Sequence, residues 1–211
     1  MLLRVIDLET TGAHPQTSEV IEFGSVDVSL NDGSWQTGAI TSRLFPPTGP
    51  LTPETQAVHH LTDADFTPGS PSATPQILRE MVLRAPRPDM LVAHHIAFER
   101  HFLTDAVTDA LPWLCTLRIA QKLWPDAPRH TNQILRYWLR LDLDRTLASP
   151  AHRAAPDAYV TAHILMRQLE TAPPETLLEL TRARHVRRGA ALRSGRAMNT
   201  EQPRLFARNE D

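Results

Sequence analysis

The first dozen residues constrain this chain more than any other stretch. Met1 to Gly12 reads MLLRVIDLETTG, and Leu2, Leu3, Val5, Ile6 and Leu8 form an apolar run broken only by Arg4. A run that is apolar on both strand faces predicts a central strand covered on both sides. Into that strand the sequence sets Asp7 and Glu9. Side chains two apart on a strand project to the same face, so both carboxylates share the strand's end. Thr10, Thr11 and Gly12 then supply turn chemistry. Two carboxylates about 4–5 Å apart repel by roughly 3–4 kcal/mol at an effective dielectric near 20. A divalent cation would offset that cost, and a strand end open to water would avoid it. From these residues alone both readings stand.

The 211 residues fit one domain with an appended tail. Hydrophobic content of 41% and charged content of 22% belong to a soluble globular protein. No apolar run is long enough to span a membrane, and the N-terminus enters a strand pattern with no secretory cleavage site. A single cysteine, Cys115, excludes an internal disulfide and a cysteine-rich zinc site. The expectation is a soluble cytoplasmic protein with no membrane partner. Net charge is −2, unevenly placed: residues 181–211 carry eight Arg against three acids, so the preceding body is acidic.

Val20 to Leu30 alternates with period two and predicts a second strand. Asn31, Asp32 and Gly33 form a turn, and Ala39 to Phe45 predicts a third strand, stopped by Pro46-Pro47. These three make an antiparallel meander. Glu19 and Glu22 are expected to be structural or solvated. Short helices are expected over Pro53–His60 and Pro75–Arg84, with Thr62 and Asp65 as a capping box between them. Met90–Ala93 reads as a buried parallel strand leading into one helix from Ile96 to about Ala110. Trp113–Cys115 is a further strand, and Thr116 is expected to cap a helix over Leu117–Trp124. Further helices are expected from Thr131 to Leu141, Pro156 to Leu169, and after Pro174. The order predicts an α/β fold with a mixed sheet. Residues 185–211 lack apolar periodicity and read as a basic, disordered tail.

Beyond Asp7 and Glu9, polar groups beside apolar elements stand at Glu99, in the first turn of the Ile96 helix, and at Asp157 and His152. Five residues on a helix differ by about 500°, so His152 and Asp157 cannot share a helical face. Pro156 fits a first helical turn. Asp157 is therefore on the helix and His152 in the loop before it. His59, His60 and His94 read as packing residues, Cys115 as a small buried hydrophobe, and Trp124, Tyr137 and Trp138 as core rather than base-stacking surfaces. No Walker or dinucleotide glycine fingerprint is present.

Together, Asp-x-Glu ending a first strand, the acid in AHHIAFERHFL and His-x4-Asp before a helix resemble the DEDDh branch of the exonuclease superfamily, whose fold is ribonuclease-H-like. DLETTG at 7–12 is similar to its first motif, Ala93–Leu103 to its second, and HRAAPDA at 152–158 to its third. LTPETQAVHHLTDADF (51–66) and WLCTLRIAQKLWP (113–125) are similar to the stretches between. The resemblance spans about residues 1–170 and does not extend to the tail. It implies a ribonuclease-H-like mixed sheet, an antiparallel meander plus parallel strands flanked by helices, in an exonuclease domain at 1–184. It makes Asp7, Glu9, Glu99 and Asp157 ligands of two divalent metal ions, Mg²⁺ or Mn²⁺, and His152 the general base.

Leu8, Thr10 and His95 become substrate contacts by the same resemblance. The implied activity is 3′–5′ hydrolysis of single-stranded DNA to 5′-mononucleotides. Nucleic acid is the implied partner, and DNA repair or replication proteins are further ones. A proofreading subunit, an RNA-trimming enzyme and a binding or adaptor protein without turnover are the alternatives. Three positions depart from the pattern: Glu99 replaces Asp, His95 replaces Asn, and Pro156 directly precedes Asp157. Glu99 keeps the charge but adds a methylene.

Overall fold

The structure, a computed structural model, describes residues 1–14 and 16–183. The expected tail at 185–211 lies outside them. Strand β1 (Leu2–Thr10) is the middle of a five-stranded sheet of order β3-β2-β1-β4-β5. Strands β2 (Val20–Asn31) and β3 (Ser34–Leu44) complete the antiparallel meander, and β4 (Met90–Ala93) and β5 (Trp113–Cys115) add in parallel. The meander turn uses Asp32 and Gly33, both at positive φ, as a two-residue hairpin requires. Strand β3 starts five residues earlier than its apolar pattern suggests. Pairing with β2 carries it through Ser34–Gly38, where Trp35 sits among polar residues and a glycine.

Both sheet faces are covered, as the opening run requires. Leu3 and Val5 join Val26, Val28 and Val92 under helix α7 (Ala154–Leu169), with α5 (Thr116–Leu123), α6 (Asn132–Trp138) and α8 (Pro174–Arg182) alongside. Ile6, Leu8, Phe23 and Leu91 pack the other face against α2 (Pro75–Val82) and α3 (Ile96–Phe102). Arg4 is wholly buried on that second face. Its guanidinium pairs with Asp27 at 2.7 Å and donates to the carbonyls of Val82, Arg84 and Pro86. A buried charge needs such complete pairing. No helix among the described residues is long and apolar enough to cross a membrane.

Several helix expectations change. The single helix over 96–110 is two. Leu103 leaves helical geometry to bury completely, and Thr104 begins α4 (Asp105–Thr108). Thr116 does not cap α5, whose N-cap is Cys115. The Thr116 hydroxyl instead meets His94 Nδ1 at 2.8 Å. Helix α6 ends at Trp138 rather than Leu141, where Arg140 turns to positive φ. Helix α1 (Pro53–His59) and the Thr62–Asp65 box appear as expected; the Asp65 carboxylate accepts from the Thr62 N–H at 2.7 Å.

Candidate active site

β1 delivers its acids by parity. Leu3, Val5, Asp7 and Glu9 face α7, so the apolar half of that face becomes carboxylate at the strand's C-terminal end. How α7 reaches them is written in β2. Gly24 pairs with Asp7, and a Cβ there would lie 2.1 Å from the Ala154 carbonyl carbon and 2.3 Å from the Ala155 nitrogen. The first turn of α7 therefore rests on bare sheet backbone, which only glycine permits.

Glu22, two residues before Gly24, holds that turn in place. It is 1% exposed, and its carboxylate accepts from the Ala154 N–H at 3.1 Å and pairs with Arg153 at 2.8 Å. An acid at a helix N-terminus is favourable. Pro156 sits within the first turn of α7, where it forfeits no helical hydrogen bond. Asp157 follows, facing β1.

The outcome is a group of three carboxylates. Ligand oxygens of Asp7, Glu9 and Asp157 all lie within 4.8 Å of one another. Both oxygens of Asp157 are held: Oδ2 accepts from the His152 backbone N–H at 2.9 Å, and Oδ1 from Gln133 Nε2 at 2.9 Å. His152 lies in the loop, as expected, with its side chain exposed and its backbone at positive φ.

Glu99 stands outside that triple but lines the same cavity. It is 4% exposed, and its Oε2 is buried with no hydrogen-bond partner. The cavity holds about 420 Å³. Leu8, Val58 and Phe98 form its apolar flank, with Thr10, Thr55 and His59 beside them. The Thr10 hydroxyl donates to the Gly12 carbonyl at 2.7 Å, closing the turn that rims the site. His95 is exposed at the head of α3 and is not among the cavity-lining residues.

Electrostatics follow from this crowding. Asp7 keeps some open surface toward the cavity, yet burial pushes its carboxyl well above the ordinary range, and Glu9, Asp157, Glu99 and Glu22 add to the shift. Burial, then Asp157 and Glu22, raises Glu9 to about 8, with Arg153 opposing. Burial raises Glu99 to about 8. Asp157 rises by burial against the pull of His152 and Gln133. Acids this reluctant to ionise together favour protons or a cation. Three converging carboxylates and one orphaned buried oxygen fit a hard divalent ion, which takes oxygen ligands.

Of the histidines expected to pack, His94 does so, His59 is buried but also lines the carboxylate cavity, and His60 is exposed. His94 bonds Thr116 and the His130 carbonyl, and burial lowers it to about 4. His59 accepts from the Leu61 N–H. Glu19 is structural, bonded to Thr48, and Cys115 is buried. The aromatic expectation is overturned in part: Tyr137 is 71% and Trp138 41% exposed. Gln133, Gly24 and the Arg153 partner of Glu22 are site features the sequence reading missed. The one available signal was Glu22, an acid set between Ile21 and Phe23 in the apolar first half of β2.

A family model described as Exonuclease matches residues 5–165. Exodeoxyribonuclease 10 of Escherichia coli is 29% identical over 171 residues, spanning 81% of this chain and 70% of that protein. DNA polymerase III subunit epsilon of Aquifex aeolicus is 27% identical over 173 residues, 79% of each chain. The solved structure of exonuclease X in complex with 5′ overhanging duplex DNA superposes with a TM-score of 0.66 at 27% identity, covering 85% of this chain and 99% of that one. A nuclease domain described as a DEDDh family member, bound to rAMP, has the same fold at 18% identity, with a TM-score of 0.59 over 81% of this chain and 92% of that one.

Proposed function

Because the chain belongs to the exonuclease family, we propose that it is a metal-dependent 3′–5′ exonuclease that removes 5′-mononucleotides from single-stranded DNA. The observation that carries this reading is the convergence of Asp7, Glu9 and Asp157 within 4.8 Å, beside an unpartnered Glu99 oxygen. Asp7, Glu9 and Asp157 would hold two divalent ions, Mg²⁺ or Mn²⁺, with Glu99 as the fourth ligand. Bound there, such ions neutralise the carboxylates and stabilise charge on the attacking and leaving oxygens.

The chain's own residues do the rest. His152, exposed at the cavity mouth, takes a proton from the attacking water on a ring nitrogen, a role suited to imidazole near neutral pH. The hydrogen bond from its backbone to Asp157 keeps that base beside the carboxylates. Leu8, Val58 and Phe98 supply apolar surface for the sugar and base of the terminal nucleotide. The turn closed by Thr10 bounds that nucleotide's far side. His95, outside the cavity lining, would meet substrate only beyond the terminal position.

DNA is favoured over RNA because two relatives are named as an exodeoxyribonuclease and a DNA polymerase III subunit. A cytoplasmic enzyme acting with repair or replication proteins fits that substrate. The test is a nuclease assay on labelled DNA and RNA oligonucleotides, with and without chelator. Faster, chelator-sensitive release from DNA is expected. Faster release from RNA would favour the RNA-trimming reading, and binding without release would favour an adaptor.

A further inference from the structure

Helix α6 carries more than Gln133. Its buried side is Leu135, with Asn132 bonded to the Asp157 carbonyl and Thr161. At 100° per residue, the opposite side runs in order through Gln133, Tyr137, Ile134 and Trp138. Gln133 touches Asp157, while Tyr137, Ile134 and Trp138 are exposed at 71%, 38% and 41%. Half of the large exposed hydrophobics among the described residues fall between Ile134 and Leu147. A further one, Val58, lines the carboxylate cavity itself.

Charge is distributed in a matching way. Seven arginines of the body pair with carboxylates. Among the described residues Arg129, Arg136, Arg140 and Arg145, on and around α6, pair with none. Arg136 lies over the Tyr137 ring, 5.2 Å from its centroid, which leaves the other ring face open. Trp138 is braced against Trp124 with centroids 6.4 Å apart. Of the two acids nearby, Asp144 is engaged by Thr146. Flat aromatic faces among unpaired arginines match bases and phosphates, because every base has a π-face and every linkage a negative charge.

We propose that the exposed side of α6 is the platform for the nucleotides leading into the active site, with Tyr137 stacking on a base and Arg129 and Arg140 meeting phosphates. This rests on the exonuclease reading for the position of the strand's end. Tyr137 lies one helical turn, about 6 Å along the axis, from the glutamine that grips Asp157. The platform is thus continuous with the site, and its occupant is a single strand rather than a folded protein.

The test compares wild type, Tyr137→Ala and Tyr137→Phe in two measurements. In chelator, anisotropy of a labelled oligothymidylate of about 20 nucleotides should report a Kd roughly five- to a hundred-fold weaker for Tyr137→Ala, the loss expected of one base–aromatic stack. Tyr137→Phe should bind like wild type, as should Leu30→Ala, which removes an exposed hydrophobic at the far end of β2. With metal, the wild-type KM should fall as the oligonucleotide lengthens from two nucleotides, and Tyr137→Ala should abolish that fall. An unchanged Kd in Tyr137→Ala overturns the platform, and so does a length dependence that survives the substitution. An unchanged Kd with a loss of self-association in sedimentation would assign the patch to protein contact instead. If wild type binds through Tyr137 yet releases no nucleotide, the exonuclease reading fails and the platform stands.

Discussion

Glu99 is the residue whose chemistry is least ordinary. It is one methylene longer than the acid its motif position usually carries, it is buried, and one of its oxygens has no partner. If that oxygen ligates metal, Glu99→Gln lowers turnover by orders of magnitude while Glu99→Asp retains or improves it. Equal rates in all three proteins would remove Glu99 from the site. His152 is tested by pH: with a general base at this position, the rising limb of the pH–rate profile depends on that side chain. His152→Ala should abolish that limb of the profile, and an unchanged limb would discard the role. The shared face of Asp7 and Glu9, and the loop and helix placement of His152 and Asp157, were legible in the sequence because strand parity and the first-turn preference of proline are local rules. Gln133 was not, because its contact with Asp157 spans 24 residues and depends on how two helices meet.

Among elements, α7 decides whether the site exists. Gly24 admits its first turn and Glu22 caps it. Gly24→Ala forces a Cβ into backbone atoms that cannot move separately, so it should cost at least the roughly 1–3 kcal/mol typical of overpacking. A lower Tm together with weakened activity is expected, and a wild-type Tm would contradict the packing. The Glu22–Arg153 pair makes a second prediction. Arg153→Met leaves the buried Glu22 carboxylate without its cation and should destabilise markedly, whereas Glu22→Gln with Arg153→Met should recover much of the loss, since buried pairs often contribute little net. Thermal melts of the two proteins distinguish these outcomes.

Existence and type of these elements could be read from apolar period, but their ends could not. Helix α3 breaks because Leu103 has a core to fill, α5 loses its threonine cap to His94, and β3 is lengthened by its partner strand. Each is a tertiary contact overriding a local preference.

At the scale of the whole molecule, the sheet is a frame that crowds negative charge at one end of its central strand, and stability should show it. The folded protein holds Glu9 and Glu99 at about 8, against an ordinary value of 4.5. Between those values Glu9 and Glu99 bind more protons folded than unfolded. Buried His94, lowered to about 4 from 6.5, acts in the opposite sense below 6.5. Metal-free stability should therefore fall as pH rises from about 6.5 and level off above about 8. Added Mg²⁺ or Mn²⁺, binding only the folded state, should raise Tm, and by more at pH 8 than at pH 6. Calorimetry with Glu9→Gln, whose slope should be flatter, checks the assignment. The central strand with two covered faces was visible in the first dozen residues. The buried Arg4–Asp27 pair was not, because a lone arginine in an apolar run carries no sign of the carbonyls that will surround it.

Whether Asp7 belongs to a 3′–5′ exonuclease site is decided by a DNA oligonucleotide labelled at either end, incubated with Mg²⁺ or Mn²⁺ and either wild type or Asp7→Ala. Wild type should release the 3′ label at once as a 5′-mononucleotide and shorten the 5′-labelled strand stepwise, and Asp7→Ala should do neither. Stepwise hydrolysis that survives Asp7→Ala would contradict that role.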